Sequence, residues 1–321
     1  MKKNAIRLFM GLCSLSLFIT TAFAADMLIP VGQVIGLELF NDTVTVVAFD
    51  DCIHAGRDAG LQIGDEIQKI DEHTIETAED VRRALNCSDG SVNMTVVRSG
   101  RQRQLHMQPQ ITAEGPKLGV FLRQGIVGIG TVTWYDPETA SFATLGHAVN
   151  DSKGKLLKMS RGSAYPAKII SVQKGKSGAP GQLKGALNQE MLLGSLTGNT
   201  GCGVFGIAPG KWNGEAVPVG RSEEVNEGSA IIRSTVSDGM PKDYSVEIIK
   251  VYPQSRDDGR NMLIKVTDPE LLAVTGGIVQ GMSGSPIMQD GKLVGAVTHV
   301  LVNDPTRGYG IFIESMLEAA D

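Results

Sequence analysis

The sequence has few of the residues that build metal, disulfide or nucleic-acid sites. Its 321 residues include only four cysteines and five histidines. The cysteines show no C-x-x-C spacing, which argues against a zinc site and against a disulfide framework. The histidines are scattered without an H-E-x-x-H motif, so a metalloprotease is unsupported. The net charge of −5, with no basic stripe, argues against a nucleic-acid partner.

Aromatic residues are also scarce, whereas glycine is abundant. Aromatic side chains make up 5% of the chain, and there are 39 glycines. Many glycines between short apolar runs favour tight turns and short strands, so we expect a mainly β fold. The length allows two domains, each with its own core. Gly291-Lys292 lacks the glycine-rich loop of a phosphate site, and nothing else in the sequence calls for a cofactor.

Residues 1–25 differ from the rest of the chain in composition. Three basic residues precede an apolar stretch over residues 8–21, and Ala22-Phe23-Ala24 supplies the small-x-small pattern of a signal-peptidase site. An uncleaved signal anchor is the second interpretation, because the apolar stretch approaches the length that spans a bilayer. Both interpretations predict export across the cytoplasmic membrane.

Residues 26–110 carry the pattern of a small peptide-binding domain. The string A-G-L-x-x-G-D-x-I-x-x-I-D over residues 59–71 is followed by Thr74-Ile75 and by a helix with Thr77 as its N-cap. This succession resembles a PDZ domain of the type found in bacterial proteases, which is an α+β fold. In such domains a peptide adds as a strand, and its carboxylate enters an apolar-Gly-apolar loop.

The PDZ resemblance implies a set of groove residues. Ile35-Gly36-Leu37 would form the carboxylate loop, and Leu39 and Val81 would wall the groove. The alternative for Val81 is a place in the domain core, because an apolar helix stripe usually packs inside. A partner protein and the chain's own tail are both candidate ligands of this groove, the second giving a self-interaction.

The segment Gly281-Met282-Ser283-Gly284-Ser285-Pro286, followed by an apolar strand, predicts a nucleophile. Glycines on both sides of Ser283 let the backbone make a tight turn that exposes the hydroxyl. The same turn can aim the N–H groups of Gly281 and Ser283 at one point, which would form an oxyanion hole. The pattern is typical of trypsin-like serine peptidases.

The general base is expected at His147, which ends a strand–turn–strand pattern in Leu145-Gly146-His147. This order resembles the first barrel of the chymotrypsin fold, so we expect residues 111–321 to form a double β-barrel peptidase domain. Histidine suits both halves of acyl transfer because its pKa lies near working pH. The competing histidine is His299, which with Thr298 is expected to wall the substrate cleft.

The sequence offers several candidates for the acid that would orient the base. Asp268 follows an apolar run at residues 262–266, so we expect a strand to hold it near the nucleophile segment. The candidates between base and nucleophile are Asp151, Asp238, Asp243, Asp257, Asp258 and Asp268.

Two longer stretches resemble the stage IV sporulation protein B peptidases of endospore-forming bacteria. They are residues 267–287, from T-D-P-E-L-L to G-M-S-G-S-P-I, and residues 295–306, G-A-V-T-H-V-L-V-N-D-P-T. Leu145-Gly146-His147 and the order of an apolar segment, a PDZ domain and a peptidase domain agree with this family. The resemblance implies His147 as base, Ser283 as nucleophile and Asp268 as acid, although an acid so close to the serine departs from the trypsin-like order.

The family resemblance also implies a biological role. Its members are exported to the space between the forespore membranes, either anchored or released. There they cleave themselves and then a membrane-bound regulator, which leads to activation of a late sigma factor. We expect self-cleavage between Asp26 and Val34, ahead of the PDZ core, where the chain should be exposed. A secreted quality-control protease and a catalytically silent binding protein are the alternatives.

Overall fold

The computed structural model describes residues 27–151, 153–210, 212–237, 239–252 and 259–320. The predicted signal segment therefore lies outside the described residues, as do the candidate acids Asp238, Asp257 and Asp258. No helix within the described ranges has the length and hydropathy needed to cross a bilayer.

The secondary structure is dominated by short strands. In chain order the strands are β1 (Met27–Pro30), β2 (Val34–Phe40), β3 (Val44–Phe49), β4 (Glu66–Ile70), β5 (His73–Thr74), β6 (Val92–Arg98), β7 (Arg101–Met107), β8 (Gln110–Thr112), β9 (Gly115–Lys117), β10 (Val120–Arg123), β11 (Ile126–Tyr135), β12 (Ser141–Thr144), β13 (Arg161–Gln173), β14 (Gln182–Leu187), β15 (Gly194–Thr200), β16 (Gly203–Ile207), β17 (Val217–Pro218), β18 (Gly228–Ser234), β19 (Lys242–Val251), β20 (Met262–Val266), β21 (Pro286–Gln289), β22 (Lys292–Leu301) and β23 (Asp304–Phe312). The helices are α1 (Ala55–Asp58), α2 (Ala78–Cys87), α3 (Pro269–Thr275) and α4 (Ile313–Glu318), with a 3-10 turn at Ser222–Glu224.

Six strands close a first barrel in the order β12-β16-β15-β13-β2-β11, and β11 pairs with β12 to complete the ring. β1 and β17 extend this sheet beyond β11, and β14 pairs with β13. The barrel interior is filled by large apolar side chains such as Leu39, Phe142 and Val204. Burying such side chains is the main stabilising contribution in a sheet closed on itself.

The boundary predicted at residue 26 for the PDZ domain is wrong, because β1 and β2 belong to the first barrel. β2 lies between β11 and β13, with Leu39 opposite Ile126 on one side and opposite Gly162 on the other. The strand is buried along most of its length. An apolar run predicts a buried strand, but its partners come roughly 90 and 120 residues later in the chain, beyond the reach of local patterns.

The PDZ unit is therefore an insertion between β2 and β11. Its sheet has the order β10-β3-β4-β6-β7, with β5 beside β4. Helix α2 begins with the predicted cap, since Thr77 Oγ1 accepts from the Asp80 N–H at 3.0 Å and the Asp80 carboxylate accepts from the Thr77 N–H at 2.8 Å. The apolar face of α2 packs on the sheet. The chain leaves and re-enters the barrel at neighbouring strand ends, because Leu39 and Ile126 are paired.

A second closed barrel follows in the order β18-β19-β20-β23-β22-β21. Its core includes the fully buried Ile232, Ile248, Met262 and Ile264. Helix α4 packs against β22 and β23 through Ile313 and Met316. The predicted fold class is thus confirmed: a mainly β chain with a PDZ unit and a chymotrypsin-like pair of barrels.

Candidate active site

Ser283 lies in a tight turn between helix α3 and strand β21. The Met282 N–H donates to the Val279 carbonyl at 3.1 Å, and the Ser285 N–H donates to the Met282 carbonyl at 2.9 Å. Gly284 has φ +94°, and a Cβ placed there would lie 2.0 Å from the Thr131 carbonyl oxygen. Glycine is required at this position by both the backbone angle and the close approach.

Two threonines of β11 fix this turn to the first barrel. The Thr131 N–H donates to the Ser283 carbonyl at 3.0 Å, and Thr131 Oγ1 donates to the Gly281 carbonyl at 2.8 Å. Thr133 Oγ1 donates to the Gly284 carbonyl at 2.8 Å. Neither threonine is predicted from the sequence, because alternating threonines in a strand give no signal of a partner roughly 150 residues away. Ser283, the predicted nucleophile, is thus carried by the second barrel and positioned by the first.

The residues that carry the predicted oxyanion donors border a cavity of about 450 Å³ between the barrels. Gly281 and Ser283 both line this cavity. Within the ranges that the structure describes, neither of their N–H groups donates to a protein acceptor. Two adjacent N–H groups left for an outside acceptor are what an oxyanion hole requires.

His147 enters the same cavity from the end of β12. Leu145 and Gly146 have φ of +71° and +68°, which turns the chain sharply before the histidine. The Nδ1 atom of His147 lies 2.9 Å from the Ala148 carbonyl oxygen. A carbonyl oxygen only accepts, so Nδ1 carries the proton and Nε2 is left as the basic nitrogen.

The electrostatic setting of His147 keeps it neutral. Burial lowers its pKa below the ordinary value, and the hydrogen bond to the Ala148 carbonyl opposes that shift only in part. A neutral imidazole is the form that accepts a proton from a serine.

Ser283 and His147 line one cavity, but they are not hydrogen-bonded to each other. Ser283 Oγ donates instead to the Thr298 carbonyl at 2.9 Å. The predicted cleft residues Thr298 and His299 both line the cavity, and the His299 ring centroid lies 5.2 Å from that of His147. Rotation of the Ser283 side chain away from Thr298 is needed before His147 can accept its proton.

The structure places Asp268, the predicted acid, outside this site and at the start of helix α3. Asp268 is the N-cap of α3, where its carboxylate accepts from the Leu271 N–H at 2.9 Å and from the Ser245 N–H at 3.4 Å. It is absent from the residues that line the cavity. The string Asp268-Pro269-Glu270 is itself a helix-start signal, with a capping aspartate followed by proline in the first turn.

The other candidate acids that the structure describes are also engaged elsewhere. The Asp151 carboxylate accepts from the Lys153 and Lys155 N–H groups at 2.8 and 3.0 Å. The Asp243 carboxylate binds Arg233 at 2.6 Å. In the described part of the site, the Ala148 carbonyl takes the place of the orienting carboxylate.

The predicted PDZ carboxylate loop is likewise corrected. Ile35, Gly36 and Leu37 lie within β2 of the first barrel, and Leu37 and Leu39 line the cavity beside Ser283 instead of a PDZ groove. A second apolar-Gly-apolar string, Leu118-Gly119-Val120, leads into β10 at the edge of the PDZ sheet, where Gly119 has φ +72°.

Val81 takes the core position that was its alternative. It is buried in the apolar cluster of the PDZ unit. The string at residues 118–120 could have been found from the sequence, because it directly precedes a strand-like run.

Most of the expected self-cleavage region is buried, although Met27 and Gln33 are exposed. Leu28 and Ile29 are buried, and β1 pairs with β11 and β17. The chain between Met27 and Val34 is therefore built into the first barrel.

Several proteins of known structure are similar to parts of this chain. The PDZ domain of the SdrC-like protein Lmo2051 from Listeria monocytogenes is similar at 20% identity, covering 26% of this chain and 88% of that chain, with a TM-score of 0.23. The inactive form of the Rv3671c protease is similar at 12% identity, covering 60% of this chain and 82% of that chain, with a TM-score of 0.35. The active form of the same protease, from M. tuberculosis, is similar at 14% identity. It covers 61% of this chain and 73% of that chain, with a TM-score of 0.34.

One curated relative matches a shorter piece. "Putative zinc metalloprotease Atu1380" of Agrobacterium fabrum (strain C58) is 37% identical over 78 residues, which is 24% of this chain. The chain spans about a fifth of that relative, 21% of its length.

A family model covers most of the peptidase part. The model for the SpoIVB peptidase S55 matches residues 114–317, which contain both barrel-borne residues His147 and Ser283. The match extends over more than half of the chain and confirms the family resemblance drawn from the sequence. The chain belongs to the SpoIVB peptidase S55 family.

Proposed function

We propose that Ser283 is the nucleophile of this peptidase and that His147 is its general base and acid. The observation that carries the proposal is the shared cavity. Ser283 and His147 line it together with Gly281, and the N–H groups of Gly281 and Ser283 have no protein acceptor among the described residues. Nucleophile, base and oxyanion donors thus meet at one place, as acyl transfer requires.

The reaction begins with the Ser283 hydroxyl turning from the Thr298 carbonyl toward His147 Nε2. Nε2 takes the proton, Oγ bonds to the substrate carbonyl carbon, and the carbonyl oxygen becomes an oxyanion held by the two N–H groups. The C–N bond then breaks, and the imidazolium gives its proton to the leaving amine. Water, deprotonated by His147, releases the acid product and restores Ser283.

The Ala148 carbonyl fixes the tautomer of His147 in this scheme. A carboxylate in its place would also favour the imidazolium ion. The Ala148 carbonyl stabilises the imidazolium ion less than a carboxylate would, because a carbonyl dipole carries no net charge. We therefore expect the resting enzyme to be slow and to depend on conformational change for full activity.

For the biological role, we propose that the enzyme is exported and cleaves a membrane-associated regulatory protein during spore formation, after processing itself. The family membership supports this role. The PDZ unit fits it as a docking module for that partner or for the chain itself, since it is inserted into the β2–β11 pair that walls the cavity. Self-processing would have to occur before residue 27 or after β1 detaches from the barrel.

The catalytic assignment is tested by labelling the purified full chain with a fluorophosphonate and locating the modified serine by mass spectrometry. We expect labelling at Ser283 and its loss in Ser283→Ala. Labelling at another serine would refute the assignment.

The biological role needs a separate test. A regulatory protease cuts few sites, whereas a degrading protease digests any unfolded chain. We expect enzyme that reacts with the fluorophosphonate to leave unfolded casein largely intact while cutting the extracytoplasmic part of a membrane-anchored sporulation regulator at one or two positions. General digestion of casein would favour the quality-control alternative instead.

A further inference from the structure

Among the described residues that line the cavity beside Ser283 there is no Asp, Glu, Lys or Arg. Its floor and walls near the oxyanion donors are formed by Ile278, Val279 and Val300. Ile278 and Val279 are 2% and 1% exposed, so they are fixed parts of the core. This composition bears on which substrate side chain the site accepts.

The position of the acyl-side residue of the substrate follows from the oxyanion donors. The scissile carbonyl must lie between the N–H groups of Gly281 and Ser283. The segment that precedes Gly281 in the chain, Ile278 to Gln280, lines the cavity beside that position and would contact the side chain of the residue that bears this carbonyl. Thr298 to Val300 lines the same cavity and completes the pocket.

Ile278 is held rigidly where it lines this cavity. Its N–H donates to the Pro305 carbonyl at 2.8 Å, which fixes its backbone. Its Cδ1 atom packs against the bare backbone of Gly308 on β23, where an added Cβ would lie only 2.6 Å away. The buried side chains of this segment are therefore aliphatic, and its polar residue, Gln280, is exposed.

We infer that this enzyme cleaves after uncharged aliphatic residues of medium size, such as Val, Leu or Met, and that Ile278 sets the depth of the pocket. The inference rests on the proposed roles of Ser283 and His147. A Lys, Arg, Asp or Glu side chain would lose its hydration against Ile278 without gaining a partner, which is strongly unfavourable. An aromatic side chain would meet the Ile278 floor before it is fully inserted.

The test uses peptidyl α-aminoalkyl diphenyl phosphonates, which differ only in the side chain beside the reactive phosphorus. The full chain is treated with Gly, Val, Leu, Phe, Lys and Glu analogues, and the rate of Ser283 modification is measured. We expect the Val or Leu analogue to react about 10- to 100-fold faster than the Gly analogue, and the Lys and Glu analogues to be slower still. Equal or faster reaction of a charged analogue would overturn the inference.

A fluorophosphonate without a substrate side chain serves as the control that separates the two proposals. Modification of Ser283 by this probe, combined with no preference for aliphatic analogues, would overturn the specificity and leave the nucleophile in place. No modification of Ser283 by any probe would overturn both.

A pair of variants tests whether Ile278 sets the depth of the pocket. Ile278→Ala should deepen the pocket and raise the rate of the Phe analogue relative to the Val analogue by about 10-fold. The matched control Val302→Ala changes an aliphatic side chain that is 49% exposed on the same barrel, and it should leave the ratio unchanged. An unchanged ratio in a folded Ile278→Ala protein would show that Ile278 is not the floor.

Discussion

The nucleophile turn and the base loop of this peptidase are held in different ways. The turn around Ser283 is bound to β11 by both Thr131 and Thr133, and its neighbour Ser285 donates to Ser234 Oγ at 3.0 Å inside the second barrel. His147 by contrast is partly buried, and the one hydrogen bond of its ring in the described structure goes to the carbonyl of the next residue.

The segment that follows His147 reaches toward the PDZ unit. Asn199 holds Val149 and Leu157 from the barrel side, through bonds of 2.8 to 2.9 Å to their backbone. Further along, Lys153 Nζ lies 2.6 Å from the Glu66 carboxylate of strand β4. The proposed nucleophile and oxyanion donors are therefore built into the barrels, whereas the proposed base belongs to a segment that also contacts the inserted unit.

The largest expected effect comes from removing the base. His147→Ala should lower kcat/KM for a peptide substrate by at least about 10⁴-fold, because it removes the proposed acceptor of the Ser283 proton. Thermal unfolding should change little, since the ring is only partly buried. Retention of most activity would point to His299 as the base.

A large effect on stability is expected on the nucleophile side. Gly284→Ala should lower the free energy of unfolding by about 3 kcal/mol or more, because the new Cβ collides with the Thr131 carbonyl at a positive φ. The matched control is Gly291→Ala, which has φ +77° but open space around it, and it should cost only about 1–2 kcal/mol. Similar losses for both variants in chemical denaturation would contradict the close approach at Gly284.

A smaller effect is expected at Asp268. Asp268→Ala should lower the free energy of unfolding by about 1 kcal/mol, as loss of a helix cap does, and should leave kcat/KM nearly unchanged. The control is Thr77→Ala, which removes the cap of α2 in the PDZ unit and should cost about the same. If Asp268→Ala alone reduced catalytic efficiency by roughly a hundredfold or more, its role as catalytic acid would be restored.

The smallest effect concerns pH. Burial lowers the pKa of His147, so its neutral, active form persists to lower pH than that of an exposed histidine. We expect the acidic limb of the kcat/KM profile to fall below about pH 6.5, the ordinary histidine value. The same burial makes folding less favourable as pH drops through the unfolded-state pKa, because the charged form is penalised in the folded state. An acidic limb above about pH 6.5 would instead indicate a carboxylate beside the imidazole.

The local parts of the site could be predicted from the sequence. The turn around Ser283 depends on glycines next to it in the chain, and His147 is marked by the sharp turn that Leu145 and Gly146 make before it. The PDZ string also specifies a local succession of strand, turn and capped helix. Each of these features is determined by residues within a few positions of one another.

The features that could not be predicted depend on distant partners. The apolar string at residues 35–37 fits a PDZ loop as well as a barrel strand, and only its pairing with β11 and β13 decides between them. A carboxylate such as Asp268 can cap a helix or orient a histidine, and the sequence does not say which donors it meets. Local sequence patterns thus predict the type of secondary structure, but they do not predict which distant strand or side chain it will contact.

The measurement that tests the central claim most directly is the rate of fluorophosphonate modification of Ser283 in three full-length proteins: wild type, His147→Ala and Asp268→Asn. The Ser283–His147 pair predicts equal rates in wild type and Asp268→Asn, and a rate lower by at least about 10³-fold in His147→Ala. A loss in Asp268→Asn as large as that in His147→Ala would contradict the account.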